Sequence, residues 1–174
     1  MYRRTYLAAA SAAIAATAGC STLTGGGSGS DGSDDESDGA DVELENTDAG
    51  AAGAQTLRVP VEESLAGGTL SVVSATYPRD RFVVDSTSHD AITVGVDTDD
   101  DGSLEEEFGA DAISGANNNE YSFDVTLETD YELTEGDVVV LDYPAVTNPS
   151  ESGEYEVTVT LNETQETTVT LVVE

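Results

Sequence analysis

Carboxylates crowd one short stretch of the chain, where residues 97–103 read Asp-Thr-Asp-Asp-Asp-Gly-Ser and three glutamates follow at 105–107. Aspartates at alternate positions of a turn can direct their oxygens toward one point, and a glycine lets the chain bend sharply there. Oxygen ligands of this kind suit a hard cation such as Ca²⁺. The chemistry that this stretch offers is therefore the coordination of calcium, the only cofactor that the sequence suggests.

The stretch resembles the beginning of an EF-hand calcium loop, with Asp97, Asp99 and Asp101 at positions 1, 3 and 5 and Gly102 at position 6. It departs from that loop at position 12, where Phe108 replaces the bidentate glutamate, and no helix is expected on either side. The candidate calcium ligands are Asp97, Asp99, Asp101, Ser103, Glu105 and Glu107. We favour an acidic turn between two strands and keep a calcium site as the alternative.

Other catalytic or metal-binding constellations are missing from the sequence. His89 is the only histidine and Cys20 the only cysteine, whereas a blue-copper site needs two histidines and a cysteine. The single histidine also leaves no spare partner for a catalytic triad. Arg79 and Arg81 flank Asp80 and would suit a carboxylate or a sulfated sugar, although ion pairs within an acidic surface are the simpler interpretation. We therefore predict that the protein is not an enzyme.

The charge of the chain excludes several kinds of partner. It has 36 acidic residues, five arginines and no lysine, and its formal net charge is −31. A nucleic-acid-binding protein needs a basic face to neutralise phosphates, and a protein held on anionic lipid needs a polybasic patch. A P-loop nucleotidase needs a lysine. Nucleic acid is accordingly not expected as a partner.

Residues 1–20, MYRRTYLAAASAAIAATAGC, have the organisation of an export signal. The apolar part, residues 7–19, is shorter than the roughly 20 residues that span a bilayer. The pair Arg3–Arg4 resembles a Tat export signal, and Thr17 to Cys20 resemble a lipobox, whose cysteine is lipidated. We predict lipidation at Cys20, which would anchor the protein on the outer face of the cell membrane.

Residues 21–55 are predicted to form a disordered tether. They are nearly all Gly, Ser, Asp, Glu, Ala and Thr, with nine acidic residues and no basic one. Such a stretch has too few large apolar groups to offset the entropy of ordering. The alternation of Val42 and Leu44 is interpreted as a transient strand at most.

From residue 56 onward, apolar residues recur at every second position, the period of a strand with one buried face. This pattern predicts eight strands, near 57–61, 69–77, 81–85, 92–96, 121–127, 137–142, 155–161 and 169–173. Turn signals separate the strands, among them residues 115–119. We therefore predict an all-β fold over 56–174, an antiparallel sandwich of about 7–8 strands.

A local motif narrows the fold. Residues 151–157, Glu-Ser-Gly-Glu-Tyr-Glu-Val, resemble the D-S-G-x-Y-x-C stretch that enters strand F of immunoglobulin-like (Ig-like) domains. The resemblance implies an Ig-like sandwich in which Tyr155 is structural and its hydroxyl bonds back to the main chain. Separately, Asn162-Glu163-Thr164 is a glycosylation sequon at the expected turn of the last hairpin, so Asn162 is a candidate glycosylation site.

Acid excess, the lack of lysine and the many small residues resemble proteins of salt-loving archaea. With its signal and tether, the whole chain resembles a Tat-exported haloarchaeal surface lipoprotein. Concentrated salt would screen the repulsion among its acids. We predict a lipid-anchored Ig-like module for binding, adhesion or envelope structure, acting alone or beside another envelope or membrane protein. The alternatives are a calcium-stabilised version of this module and, third, a small secreted hydrolase.

Overall fold

The alternating residues form two antiparallel sheets in the computed structural model, which describes residues 39–174. In chain order the strands are β1 (Asp41–Leu44), β2 (Ala52–Pro60), β3 (Val72–Thr76), β4 (Val83–Val84), β5 (Thr93–Asp97), β6 (Glu106–Phe108), β7 (Ile113–Asn119), β8 (Ser122–Leu127), β9 (Val138–Thr147), β10 (Gly153–Leu161) and β11 (Gln165–Val173). Two short 3₁₀ turns, His89–Ala91 and Ala110–Ala112, are the only helical segments within 39–174. The predicted all-β antiparallel fold is confirmed.

The order of the strands is that of an Ig-like domain. A constant-type Ig domain has strands A, B, E and D in one sheet and C, F and G in the other. Here β1-β2-β9-β5 correspond to A-B-E-D, and β11-β10-β3 correspond to G-F-C. The additions are β6 beside β5, the β7–β8 hairpin beside β3, and the short β4 beside β9. Together with the seven strands in Ig positions, these four make 11 strands, where seven or eight were predicted.

The corner predicted for Tyr155 is present on β10, the strand in the F position. The Tyr155 hydroxyl donates a hydrogen bond to the main-chain oxygen of Glu151 at 2.7 Å. Its ring packs edge-on against the buried Phe82, with 5.6 Å between the ring centroids. The structural role of Tyr155 is therefore confirmed.

Replacing Tyr155 with phenylalanine is expected to lower the free energy of unfolding by about 1 kcal/mol, because one hydrogen bond is lost while the ring contacts remain. Denaturant unfolding measures the change. Tyr121→Phe is the matched control, since the Tyr121 hydroxyl makes no hydrogen bond within residues 39–174. Equal losses in the two variants would contradict the corner's contribution.

The inward faces of the two sheets form one core. Phe123 and Tyr143 stack at its centre, with 4.0 Å between ring centroids and 3° between ring planes. On β5 the core residues are Val94 and Val96. Because side chains alternate along a strand, Gly95 and Asp97 lie on the outer face of the sheet.

The predicted tether is wrong over residues 41–55. Strand β1 pairs with β2 in register from Asp41 opposite Arg58 to Leu44 opposite Gln55, and Val42 is only 5% exposed. Composition favours disorder here, but an existing sheet edge supplies the hydrogen-bond partners and the apolar neighbours that a short strand lacks alone. Residues 21–38 and the predicted signal with Cys20 lie outside the described residues.

The predicted turn at residues 115–119 is also wrong. Those residues belong to β7, which pairs with β8, and the chain turns at Glu120–Tyr121 instead. Glycine and asparagine have low strand propensity, but β7 is an edge strand whose ladder is made by main-chain groups. Each of the eight predicted strands overlaps an observed one, while β1, β6 and β7 were missed. Within 39–174, no helix has the length and apolar character needed to cross a membrane.

Candidate functional site

The acidic stretch is the turn of the hairpin between β5 and β6. Strand β5 leads into it, and Glu106 returns opposite Val96. A methyl group on Gly95 would lie 2.7 Å from the Leu104 Cδ1 atom and 2.6 Å from the Glu106 main-chain oxygen. Only a glycine therefore lets Leu104 cover the outer face of β5 so closely. This contact folds the acidic turn back against the sheet.

Asp97 is fully buried although it faces outward, with 0% of its surface exposed. Its Oδ2 atom accepts a hydrogen bond from the Arg58 guanidinium at 2.7 Å and another from the Gly102 N–H at 2.9 Å. Its Oδ1 atom accepts one from the Asp101 N–H at 3.2 Å. Burial opposes the charge, but these bonds outweigh it and hold the pKa of Asp97 below its ordinary value. The ionised carboxylate thus organises the turn.

Arg58 comes to this site from β2, two strands away. The register places Arg58 opposite Val140 of β9, which in turn lies opposite Gly95 of β5. The guanidinium also bonds the Asp100 Oδ1 atom at 2.9 Å, and the Arg58 side chain is 24% exposed. It fastens the turn to the sheet through two acidic residues. Sequence reasoning missed Arg58, because only the register of three strands brings it to the turn.

Three carboxylates converge at the turn. Asp97, Asp99 and Glu105 each offer one oxygen, and these oxygens lie within 4.8 Å of one another. The Glu105 Oε2 atom also accepts a hydrogen bond from the Thr98 N–H at 2.8 Å. The negative charge of Asp101 raises the pKa of Asp99, with burial and the charges of Glu105 and Asp97 adding to the effect. A bound cation would relieve this repulsion.

The remaining predicted ligands do not belong to that group of three. The Asp101 Oδ1 atom accepts a hydrogen bond from the Ser103 N–H at 2.8 Å. Glu107 lies on β6, opposite Gly95 and exposed. The turn therefore gathers three of the six predicted ligands, and the guanidinium of Arg58 already balances one of them. An acidic inter-strand turn, the interpretation that we favoured, agrees with this geometry.

Asn162 has a structural role at the turn between β10 and β11. Its Oδ1 atom accepts hydrogen bonds from the Ser71 N–H at 2.8 Å, the Ser71 hydroxyl at 2.9 Å and the Val72 N–H at 3.1 Å. Its Nδ2 atom donates to the Thr69 main-chain oxygen at 2.8 Å. A glycan would replace one hydrogen of that same nitrogen. The other hydrogen would still be needed for the hydrogen bond to the Thr69 main-chain oxygen. Glycosylation of Asn162 stays a prediction.

No family model and no curated protein matches the chain. Among solved structures, BslA, a bacterial hydrophobin, is 18% identical over 78% of this chain and 94% of its own, with a TM-score of 0.44. A Nocardia farcinica protein with an immunoglobulin-like fold is 17% identical over 77% of this chain and 96% of its own, with a TM-score of 0.38. The major pilin subunit BcpA* (D312A) of Bacillus cereus is 11% identical, over 77% of this chain and 40% of the pilin, with a TM-score of 0.46. The strand order and the tyrosine corner identify the Ig-like architecture independently of these likenesses.

Proposed function

We propose that the protein is a lipid-anchored Ig-like module that serves binding, adhesion or envelope structure on the outer face of the cell membrane. The observation that carries this proposal is the Ig-like strand order. A sandwich of this kind is a rigid framework that presents loops at both ends, where binding residues commonly lie. The sequence before it, with its twin arginine and Cys20, supplies the route of export and the anchor.

The outer face of β10 and β11 is suited to a salty exterior. Thr158 lies opposite Thr168, Thr160 opposite Glu166, and Glu156 opposite Thr170. Short hydroxyl and carboxylate side chains hold water and ions at the surface, and at about 1 M salt the repulsion among acids is screened within about 3 Å. The same face offers no basic group that would draw the domain down onto anionic lipid.

Fractionation of cells that express the full chain tests the anchor. The wild type is expected in the membrane fraction, and Cys20→Ala is expected in the medium, because the acyl chains have no attachment point. Ser21→Ala, next to the cysteine, is the matched control and should stay with the membrane. Membrane retention of Cys20→Ala would contradict lipid anchoring.

A second candidate function is favoured by the convergence of Asp97, Asp99 and Glu105, whose oxygens lie within 4.8 Å of one another. In this version the same module binds Ca²⁺ at the β5–β6 turn. The ion would sit among the three carboxylates and offset the repulsion that raises the pKa of Asp99. The outward position of Asp99 and Glu105 leaves the turn open to solvent.

Thermal unfolding of the full chain with calcium and then with a chelator tests the second candidate. At a hundredfold excess of calcium over its Kd, binding would stabilise the fold by about 2.7 kcal/mol and raise Tm. Asp99→Asn is expected to remove the rise, whereas Glu107→Gln, on the same hairpin but outside the group of three, is expected to keep it. If calcium does not change the Tm of the wild type, the acidic turn does not bind calcium.

A further inference from the structure

Two of the three arginines in residues 39–174 lie in one pocket, which is formed by other loops than the acidic hairpin. Its walls are the connection from β3 to β4 and the turn between β7 and β8, and its volume is about 440 Å³. The lining residues are Arg79, Asp80, Arg81, Phe82, Val83, Glu120 and Tyr121. The pocket thus combines cations, acids, aromatic rings and an exposed valine.

The charge of Arg79 is not balanced by an ion pair. Its guanidinium carbon lies 4.2 Å from the centroid of the Tyr121 ring, and within residues 39–174 it makes no salt bridge. Arg81, by contrast, pairs with Glu151 at 2.6 Å, and Arg58 pairs with Asp97 and Asp100. Residues 56–174 contain 27 acidic residues and only three arginines. An arginine held on an aromatic ring rather than on one of these acids is available to a ligand.

The base of the pocket is firmly held. Phe82 is 2% exposed, and its ring lies 4.9 Å from the ring of Tyr77. Main-chain bonds tie the two walls together, from the Tyr77 N–H to the Tyr121 oxygen at 2.8 Å and from the Val84 N–H to the Glu120 oxygen at 3.1 Å. Binding residues on such a base lose little conformational entropy when a ligand arrives.

We propose that this pocket binds a saccharide that carries a carboxylate group. The planar guanidinium of Arg79 can donate two parallel N–H hydrogen bonds to the carboxylate of such a sugar. The apolar face of the sugar ring can pack against Tyr121 and Val83, of which Val83 is 47% exposed. The carboxylates of Asp80 and Glu120 can only accept hydrogen bonds, and the hydroxyl groups of a sugar can donate hydrogen bonds to them.

The acids in the lining favour a sugar over an acidic peptide. A peptide with several carboxylates would bring further negative charges toward Asp80 and Glu120, and like charges at close range repel. A uronic acid unit brings one carboxylate and several hydroxyl donors. The inference deepens the proposed function, since it rests on the domain being a binding module, and it does not depend on the lipid anchor.

Calorimetric titration of the full-length protein with methyl glucuronide, a sugar that carries a single carboxylate, tests the pocket. The wild type is expected to bind it, and Arg79→Gln is expected to weaken binding by about tenfold or more, because a charge-assisted pair of hydrogen bonds is lost. Arg79→Lys keeps the charge without the parallel N–H donors and should fall between the two. Asp90→Asn, exposed on the surface and outside the pocket, is the matched control.

The outcomes separate the alternatives. Absence of methyl glucuronide binding, equal binding of the neutral methyl glucoside, or full binding by a correctly folded Arg79→Gln would each overturn the proposal. Stronger binding of a glutamate-rich peptide than of methyl glucuronide would assign the pocket to acidic peptides instead. Membrane fractionation of Cys20→Ala is scored separately, so the failure of the anchor and the failure of the pocket are distinguishable.

Discussion

Asp97→Ala is expected to lower the free energy of unfolding by about 3–5 kcal/mol, because a buried carboxylate that pairs with an arginine is lost. The substitution leaves the Arg58 side chain, which is 24% exposed, without its closest partner. It also removes the acceptor of the Gly102 and Asp101 N–H groups. Denaturant unfolding of the full chain at neutral pH measures the loss.

The control for this prediction uses the same arginine. Asp100 bonds Arg58 at 2.9 Å, but its side chain is 69% exposed. Asp100→Ala is therefore expected to cost less than about 1 kcal/mol, as exposed ion pairs do. If the two alanine variants lose the same amount, the buried carboxylate does not organise the turn.

The contribution of Asp97 should also depend on pH. Its pKa is lowered in the folded chain, so protons bind it more readily when the chain is unfolded. Its stabilisation is then fully present above the ordinary aspartate pKa of about 3.9 and is lost as the pH falls through the lower folded value. The difference in stability between the wild type and Asp97→Asn should shrink below about pH 4. A difference that grows on acidification would contradict this assignment.

Asn162→Gly is expected to lower the free energy of unfolding by about 2–3 kcal/mol, because the Ser71 and Val72 N–H groups lose their acceptor. Glycine tolerates the left-handed conformation of Asn162, whose φ is 50°, so the change removes the side chain without straining the turn. Chemical denaturation compared with the wild type gives the loss.

Glu163→Gly is the matched control, since Glu163 lies in the same turn with a φ of 55°. Because glycine adopts a positive φ without strain, the free energy of unfolding of this variant is expected to equal that of the wild type or to be slightly higher. A cost for Asn162→Gly no greater than for Glu163→Gly would show that the side-chain bonds of Asn162 do not stabilise the fold. The mass of the same purified protein shows whether Asn162 carries a glycan.

The fold class could be predicted because period two and the tyrosine motif are local signals. In residues 121–127 and 155–161, the alternation of apolar and polar residues shows which face of the strand is buried. Tyr155 donates its hydrogen bond to Glu151, only four residues back along the chain. Strand β1 could not be predicted, because its stability comes from the edge of β2 rather than from residues 41–44. Strand β7 could not be predicted either, because glycine and asparagine are typical of turns. Its pairing with β8 depends on main-chain hydrogen bonds.

The candidate site was predictable only in part for a related reason. The run of acids is visible in the sequence, but which of them converge depends on where main-chain N–H groups and Arg58 direct each carboxylate. Asp97 is held by Arg58 from 39 positions away, and Asp101 is held by Ser103. Likewise, Arg79 and Tyr121 are far apart in sequence and meet only because β3 and β8 are neighbours in one sheet.

The mass of the N-terminal peptide of the mature protein shows directly whether a lipid anchor holds this surface module. We predict that the peptide begins at Cys20 and carries the added mass of acyl chains. A peptide that begins at Met1, or one in which Cys20 has a free thiol, would contradict it.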